Sequence, residues 1–588
     1  MFADSLVIVL LLAAQATAPA PARDPRPIPP TGTAVIGGRV MTGDATPQPV
    51  RRAQVLVTRS DGSVERTLVT DDDGRFTVGA LPAGRYTVSA TKAGWLRASY
   101  GAVRPGRPGT AFPLAAGQRA TDLALTMAKG GVISGVILDS TGRPAMGVRV
   151  RLMQFRYENG ERVMAAATAA AGSTTEVTDD HGEYRLFGLA PGEYVIGVTP
   201  DDVGSGTLRL SDGGTVGYVP VYHPGTTSAG DASAVTVSAG EETSGVNLAL
   251  QYVRTARIAG SIAGADGFPE KDLRVTLIPA VTSSLGSGGS ATSSVAASLR
   301  LVTTVGPDRT FAFNGIPPGR YTVMAQGVER PALTPEQSFV SVVNGVMALW
   351  AATEVVVEGL DVSGLSLTMR PGQTVSGRVQ FDATAAGVTP PPDMTRVRVQ
   401  LTSLTRAVMS VAGSFPSASV NAAGEFSLKG VLPGRYRLGA SYANDLANGW
   451  SASAAMLNGR DVLDVMLDVP IDDAVGGLAI TMTRATQSVT GVVQDASGRP
   501  APGLTVVLFP SDRALWSVGR RLRSARSGQD GRYTIANIPS GEYRLAALTD
   551  LNPAESSNPA FLEQLVPGSI PIAVKAGDRK VQDLRVVR

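Results

Sequence analysis

The sequence contains no cysteine and only two histidines, His181 and His223, among its 588 residues. A chain without cysteine has no disulfide, no thiol nucleophile and no thiolate metal ligand. A zinc-peptidase site needs a His-x-x-Glu pair and a further, distant histidine. His181 is followed by Gly, Glu and Tyr, and His223 by Pro, Gly and Thr. The two histidines therefore do not form such a site, and thiol chemistry is excluded.

Charged and aromatic residues are also scarce, at 18% and 5% of the chain. Lysine plus arginine (53) nearly balances aspartate plus glutamate (50), and no basic stretch is interleaved with aromatic residues. The chain thus lacks the pattern of a nucleic-acid-binding protein. A phosphate-binding loop and a nucleophile elbow are missing as well. These absences favour a protein that is not an enzyme and uses no cofactor and no metal; a hydrolase with an unrecognised site is the alternative.

The first 22 residues resemble an export signal. Residues 6–14 form a short apolar run, and Ala16-Thr-Ala18 offers the small residues that a signal peptidase cleaves after. The segment is atypical, since it has Asp4 and no basic residue before the apolar run. We predict a signal peptide and the start of a Pro-rich spacer in residues 1–22, with no transmembrane span in the mature chain. The expected location is the periplasm, the outer surface or the medium.

A motif of turn residues followed by tyrosine recurs five times, and we refer to its copies as units one to five. The anchor tyrosines, 107 to 127 residues apart, are Tyr86, Tyr194, Tyr321, Tyr436 and Tyr543. Each interval is long enough to bury its own core, unlike the shorter repeats of a solenoid. The predicted domains are residues 33–129, 130–253, 254–370, 371–485 and 486–588. Short linkers between them predict an elongated array.

The units share strand and turn signals. Each opens with an alternating apolar strand that contains a glycine, at residues 35–40, 132–137, 257–262, 375–379 and 489–493. A glycine inside a strand indicates a bulge or a close approach of another backbone. A Gly before each anchor tyrosine is expected to adopt a positive φ. The tyrosines themselves suit a buried ring whose hydroxyl bonds nearby backbone, as in a tyrosine corner.

The ordered motifs G-x-V, D-x-x-G-x-P, D-G-x-Y and P-G-x-Y resemble the carboxypeptidase regulatory-like domain. Units one, two and five match most fully, whereas unit three has Arg309 in place of the turn glycine and unit four begins its turn with Asn421. The resemblance implies an all-β chain of five tandem Greek-key β-sandwich domains of the transthyretin-like (prealbumin-like) type. Residues 449–464 and 509–521 further resemble segments of large exported bacterial proteins that carry such repeats. The family implies a fold but no activity.

Binding residues are expected in the loops that differ between units, since loops on a rigid scaffold carry function. The insertion at residues 512–526 has five arginines and one tryptophan, a composition enriched at interfaces. Trp516, Arg520 and Arg521 are the first candidates for ligand or partner contacts. The alternative is a solvated hairpin whose tryptophan covers its own core. Further candidates, each with a structural alternative, are Trp450, Tyr222 and His223.

Two functions remain open from the sequence. The favoured one is a non-enzymatic structural or adhesive protein-interaction module, whose partner is an unknown protein or glycan of the cell envelope. The alternative is a carbohydrate-binding protein of the periplasm or cell surface, which would have to rely on few aromatic side chains. Asp71-Asp72-Asp73 resembles part of a calcium loop, but position twelve is Pro82 and not glutamate, so a solvated turn is the preferred interpretation.

Overall fold

The structure is a computed structural model. It describes residues 32–102, 104–158, 161–167, 174–198, 208–279, 301–329, 346–382, 393–403, 416–442, 450–484, 487–551 and 555–586. The predicted signal peptide lies outside these residues. The described residues include no helix with the length and apolar character required to cross a bilayer.

Unit one is a sandwich of two sheets. Its strands are β1 (Ala34–Thr42), β2 (Gln54–Arg59), β3 (Glu65–Val69), β4 (Arg75–Leu81), β5 (Gly84–Thr91), β6 (Ala98–Ser99), β7 (Phe112–Leu114) and β8 (Arg119–Met127). One sheet has the order β4-β1-β8, with β1 antiparallel to β4 and parallel to β8. The other has the order β3-β2-β5, with β6 and β7 pairing β5. Consecutive strands β1 and β2 thus lie in different sheets, as in a Greek key.

The other units repeat this arrangement. Unit two contains β9 (Gly131–Leu138), β10 (Arg149–Glu158), β11 (Glu161–Ala166), β12 (Thr175–Val177), β13 (Glu183–Leu189), β14 (Gly192–Val198), β15 (Leu208–Arg209), β16 (Thr215–Tyr218), β17 (Val221–Tyr222), β18 (Val235–Val237), β19 (Glu242–Thr243) and β20 (Leu248–Ala249). Unit three contains β21 (Tyr252–Ala263), β22 (Leu273–Pro279), β23 (Leu301–Thr304), β24 (Thr310–Ile316), β25 (Gly319–Glu329), β26 (Val346–Val357), β27 (Val362–Thr368) and β28 (Arg370–Pro371). Short 3-10 turns occupy Ala229–Asp231 and Glu270–Asp272. Strand β16 of unit two pairs β21 of unit three, so one sheet spans both units.

Units four and five complete the series. Unit four contains β29 (Gln373–Phe381), a 3-10 turn (Met394–Arg396), β30 (Val397–Ser403), β31 (Ser417–Ser419), β32 (Glu425–Val431), β33 (Gly434–Tyr442), β34 (Trp450–Leu457), β35 (Arg460–Asp461), β36 (Leu467–Val469) and β37 (Val475–Arg484). Unit five contains β38 (Ser488–Gln494), β39 (Thr505–Pro510), a 3-10 turn (Arg513–Leu515), β40 (Arg523–Arg526), β41 (Arg532–Ala536), β42 (Gly541–Leu548), α1 (Pro559–Leu565), a 3-10 turn (Val566–Gly568), β43 (Ile570–Val574), β44 (Arg579–Val581) and β45 (Leu584–Arg585). In every unit the opening strand is parallel to the closing strand. The predicted all-β fold class is confirmed.

Each unit contributes one large hydrophobic cluster within the described part of the chain. The clusters draw their buried side chains from residues 34–127, 133–250, 256–369, 375–482 and 489–584. Alternating apolar residues of the two sheets meet in each cluster, which is what the period-two pattern of the strands requires. We therefore interpret each cluster as the core of one unit, and the domain boundaries remain a prediction that the clusters support.

The anchor tyrosines have the role that the sequence predicts. Every ring is at least 92% buried, and every hydroxyl donates to the carbonyl oxygen four residues earlier. The donor–acceptor distances lie between 2.7 and 2.9 Å for Tyr86, Tyr194, Tyr321, Tyr436 and Tyr543. A buried hydroxyl must find such a partner, since leaving it unpaired is costly. The tyrosine-corner prediction is confirmed in all five units.

The glycine of each opening strand marks a close backbone approach, as predicted. A Cβ atom on any of them would lie 1.9 to 2.4 Å from a carbonyl oxygen near the closing strand. These glycines are Gly38, Gly135, Gly260, Gly377 and Gly491. The expectation for the glycine before the anchor tyrosine was wrong at three of five positions. Only Gly434 and Gly541 have a positive φ there. In all five units a left-handed φ occurs instead four residues earlier, at Ala80, Gly188, Gly315, Gly430 and Asn537.

The units do not follow one another as separate beads. Unit five contacts unit one through Arg107 and Asp550, whose Nη2 and Oδ2 atoms are 3.0 Å apart. The Ser557 hydroxyl donates to the Tyr157 carbonyl of unit two over 2.8 Å. Unit five also contacts unit four, as described below. The chain therefore folds back on itself and differs from the predicted elongated array, because its last unit contacts units one and two.

Candidate functional site

The insertion of unit five is held on the outer face of its own sheet. Asp512 caps the first 3-10 turn, since its Oδ1 accepts the N–H of Ala514 at 2.9 Å. Trp516 is 4% exposed and packs with Phe509 in a cluster that α1 closes. Its indole N–H donates to the Pro510 carbonyl over 2.8 Å. The ring thus covers its own unit, which is the structural alternative that the sequence left open; a ligand contact for Trp516 stays a prediction.

Arg520 and Arg521 are turned toward unit four. Both guanidiniums bond the carboxylate of Asp464: Arg520 through its Nε atom, and Arg521 through Nε at 2.8 Å and Nη2 at 2.5 Å. The carboxylate is 12% exposed. Burial opposes its ionisation, but the hydrogen bonds from the two arginines outweigh burial and hold the pKa of Asp464 below its usual value. The two candidates therefore form the junction between units four and five.

An open cleft lies beside this junction. It has a volume of about 530 Å³ and is lined by residues of both units. Its arginines are Arg437 on β33 and Arg520, Arg521 and Arg523 on or beside the insertion. Its small polar side chains are Ser451, Ser453, Thr483, Asn537 and Ser540. The volume falls in the range of small-ligand pockets.

Positive charge predominates in the cleft. Four arginines and one carboxylate, Asp461, line it, and a second carboxylate, Asp464, bonds Arg520 and Arg521. Asp461 is already engaged, since its Oδ1 accepts the N–H groups of Ala455 and Leu463 at 3.0 and 2.9 Å. Burial lowers the pKa of Arg437 and of Arg523, because a desolvated guanidinium is less stable in its charged form. The cleft thus has an excess of cationic groups in a partly desolvated setting.

Two residues that line the cleft each carry a buried polar atom without a hydrogen-bond partner among the described residues. These atoms are the Nε of Arg523 and the Oε1 of Gln487. Among the described residues, no carboxylate lies within ion-pair distance of Arg523. Buried polar atoms are normally paired, so an unpaired donor and an unpaired acceptor in one cleft require an explanation.

The remaining candidate residues lie elsewhere. Trp450 is half-buried at the start of β34 and meets Phe381 edge to face, with ring centroids 4.9 Å apart. Tyr222 is 5% exposed in a small cluster of unit two, and burial raises its pKa to about 12. His223 is half-buried; burial lowers its pKa, and its Nδ1 has no hydrogen-bond partner in the part of the chain that the structure describes. The structure does not bring these three side chains to the arginine cleft.

Tyr222 instead lines a second cleft, at the junction of units two and three. This cleft has a volume of about 340 Å³ and a largely apolar wall that includes Tyr218, Pro220, Pro318 and Tyr321. The ring of Tyr218 stacks on Tyr252, with centroids 3.9 Å apart. His223 is adjacent to this cleft in sequence but does not line it. The wall offers packing surface and few groups that would orient a polar ligand.

The other acidic and histidine groups occupy turns. Asp179, Asp180 and His181 lie close together on the surface, and all three are exposed. The Oδ1 of Asp179 accepts the backbone N–H groups of His181 and Glu183 at 3.0 and 2.8 Å. This is the turn role predicted for His181. Asp71 acts in the same way, since its Oδ1 accepts the N–H of Arg75 at 2.7 Å.

Sequence reasoning identified the insertion but not its partners in the cleft. Arg437 lies on β33, directly after an anchor tyrosine, and Gln487 precedes the opening strand of unit five. The sequence did hold a signal for Asp464, because residues 449–464 and 509–521 both resemble segments of exported proteins with such repeats. The ion pairs of Asp464 with Arg520 and Arg521 join these two segments in the structure.

Comparisons with known proteins agree with the motif pattern. The family model of the carboxypeptidase regulatory-like domain matches residues 35–127 and 488–559. A comparison with curated proteins finds no match. Among solved structures, the minor pilin GBS52 of Streptococcus agalactiae is 15% identical, with 38% of this chain and 97% of that chain covered and a TM-score of 0.21.

Two further solved structures are similar at this level. The shaft pilin SpaA of Lactobacillus rhamnosus GG is 12% identical, with coverage of 38% and 99% and a TM-score of 0.19. A putative carbohydrate binding protein of Pseudomonas aeruginosa is 16% identical, with coverage of 19% and 88% and a TM-score of 0.14. At residues 35–127 and 488–559, in units one and five, the chain therefore matches the carboxypeptidase regulatory-like domain family, as its motifs predict.

Proposed function

We propose that the protein is an exported, non-enzymatic interaction module of the cell envelope that binds a protein or glycan partner at the arginine cleft. One observation carries this proposal: the cleft presents four arginines and several hydroxyl side chains but no pairing of a nucleophile with a base. Such a surface has the means to bind and orient a ligand, whereas catalysis needs a reacting group within reach of an acid or base.

The position of the cleft supports a binding role. It lies between two units whose relative placement is set by the contacts of Asp464 with Arg520 and Arg521. Ligand sites commonly occur at domain junctions, where two rigid walls converge. Unit five also contacts units one and two, so the cleft belongs to a supported part of the molecule.

Stacking of neutral sugars has less support than the interaction role. All four tryptophans, Trp95, Trp350, Trp450 and Trp516, are buried or half-buried within or against hydrophobic clusters. Their rings are thus at least partly taken up by packing. The arginines of the cleft favour acidic sugars over neutral ones.

The test is capture of cell-envelope components by the immobilised protein, compared with Ser453→Trp. Ser453 is exposed and lines the cleft, so an indole there obstructs the cleft without entering a core. The matched control is Ser140→Trp, in an exposed turn of unit two that does not line the cleft. We expect saturable capture by the wild type and Ser140→Trp and loss of capture in Ser453→Trp. Equal capture by all three proteins would refute the cleft as the binding surface.

A further inference from the structure

We propose that the cleft between units four and five binds an oxyanion, a carboxylate or phosphate group carried by a larger ligand, with Arg523 as its principal contact. This inference rests on the binding role proposed above and specifies its chemistry. The ligand class follows from which cleft arginines already have a counter-ion and which do not.

Arg520 and Arg521 already bond other groups of the protein. Both bond Asp464, and Arg521 additionally donates through Nη1 to the Tyr543 hydroxyl at 3.0 Å and to the Ser540 carbonyl at 3.1 Å. These bonds fix the two arginines in place as part of the wall of the cleft. A ligand that recruited either arginine would have to break the junction between the units.

Among the described residues, Arg523 has no bonds like those of Arg520 and Arg521. It extends from β40 into the cleft, its Nε is buried, and the described residues place no carboxylate within ion-pair distance of it. Burial lowers its pKa, and the positive charge of Arg520 adds to this effect. A half-buried guanidinium without a counter-ion is partly desolvated at a cost, and an incoming anion offsets that cost. Arginine's planar fork also matches the geometry of carboxylate and phosphate.

The surroundings of Arg523 suit an anionic ligand that also has hydroxyl groups. Arg437, on the opposite unit, lines the same cleft, and its Nη2 donates to the Ser517 carbonyl at 3.3 Å. Gln487 also lines the cleft, and its side-chain amide can hydrogen-bond a ligand hydroxyl. Ser451 and Ser453 supply further hydroxyls. A cleft of about 530 Å³ accommodates a sugar acid or a ligand of similar size.

The experiment uses the full chain and three named probes: D-galacturonic acid, inorganic phosphate and the neutral D-galactose. Binding is followed by titration calorimetry and by the shift of the thermal midpoint. We expect saturable binding of galacturonic acid or phosphate, or both, and none of galactose. Tighter binding of galacturonic acid identifies a carboxylate ligand, and tighter binding of phosphate identifies a phosphate-bearing one. If neither acid binds, the proposal is wrong.

The variant Arg523→Gln should weaken binding of galacturonic acid or phosphate by about tenfold or more, because a charge-assisted hydrogen bond is lost. In the absence of ligand this variant should melt no lower than the wild type, because it removes a half-buried charge that has no counter-ion among the described residues. Arg532→Gln removes an exposed arginine from the same unit and should bind normally. Arg523→Lys keeps the charge without the fork and should bind with intermediate strength, which preserves the test if the glutamine variant does not fold.

The two proposals fail in distinguishable ways. If Ser453→Trp abolishes envelope capture while Arg523→Gln leaves both capture and acid binding unchanged, the cleft binds a partner but the oxyanion proposal is wrong. If Arg523→Gln abolishes acid binding while Ser453→Trp leaves envelope capture unchanged, the anion site stands and the interaction role of the cleft does not.

Discussion

Asp464 and Arg521 form a two-point contact between units four and five, with Oδ2 accepting both Nε at 2.8 Å and Nη2 at 2.5 Å. The same arginine donates through Nη1 to the hydroxyl of Tyr543, the anchor tyrosine of unit five. The corner that stabilises one sandwich is thus bonded directly to the junction with its neighbour. This relationship makes the junction sensitive to changes in the core of unit five.

Replacing Asp464 should open the junction. Asp464→Asn leaves Arg520 and Arg521 without their shared carboxylate, and breaking a buried pair of this kind costs on the order of 3 kcal/mol. The chain has no native cysteine, so spin labels on Ser453→Cys and Ser540→Cys report the width of the cleft. We expect a narrow distance distribution in the wild type and a broad one in Asp464→Asn. Asp468→Asn, at an exposed position of β36, is the control; a narrow distribution in both variants would contradict the prediction.

The junction should also weaken in acid. The two arginines lower the pKa of Asp464 below its ordinary value of 3.8 in the closed junction. The closed form therefore binds fewer protons than the open form, and its stability falls as the pH falls. The contribution is complete above about pH 5 and is lost as the pH passes below 3.8 through the lowered pKa.

The same spin-labelled pair measures this acid opening. The distance distribution should broaden between about pH 4 and pH 2 and recover on neutralisation. In Asp464→Asn the carboxyl that titrates is missing, so the distribution should be independent of pH over this range. A wild-type distribution that stays narrow down to pH 2 would show that Asp464 does not control the junction.

Removing the hydroxyl of an anchor tyrosine should cost more in unit five than in unit one. Tyr86→Phe loses one bond, to the Pro82 carbonyl, and should destabilise unit one by about 1 kcal/mol. Tyr543→Phe loses the bond to Pro539 and also the acceptor for Arg521, so we expect about 2 kcal/mol. Native-state hydrogen exchange measures the two units separately. Equal losses in the two variants would contradict a link between the corner and the junction.

The glycine of an opening strand should tolerate no side chain. A Cβ at Gly491 would lie 1.9 Å from the Gln582 carbonyl oxygen, and that oxygen also accepts the Tyr533 hydroxyl. Gly491→Ala must displace the closing strand and should cost about 3 kcal/mol, as severe overpacking does. Gly519→Ala, which meets nothing within 4 Å, is the control. Hydrogen exchange that leaves β38 as protected as in the wild type would show that the strands adjust without loss.

Much of the fold was predictable because it depends on local signals. The recurring strands, the glycine in each opening strand and the anchor tyrosines are repeated five times, and each reflects a requirement within one sandwich. The helical turn at α1 was also predictable from residues 559–565. The glycine before the anchor tyrosine was predicted less well, since a hairpin can place its positive φ at more than one residue. At the preceding Asp-Gly turn, by contrast, φ is positive in every unit, and Arg309 of unit three adopts a φ of 56° where the other units have glycine.

The amino-acid sequence by itself determined the composition limits, the five repeats, the all-β class and the resemblance to the carboxypeptidase regulatory-like domain. These follow from periodicity and from turn chemistry over a few residues. Only the tertiary structure decided that Trp516 is buried in its own unit, that Arg520 and Arg521 share Asp464, and that Arg523 lines the cleft without a counter-ion among the described residues. The partner of a charged side chain is set by which surfaces meet after folding, and Asp464 lies 57 residues from Arg521. An arginine-rich insertion therefore predicts a binding surface, whereas the fold decides which arginine is available to bind.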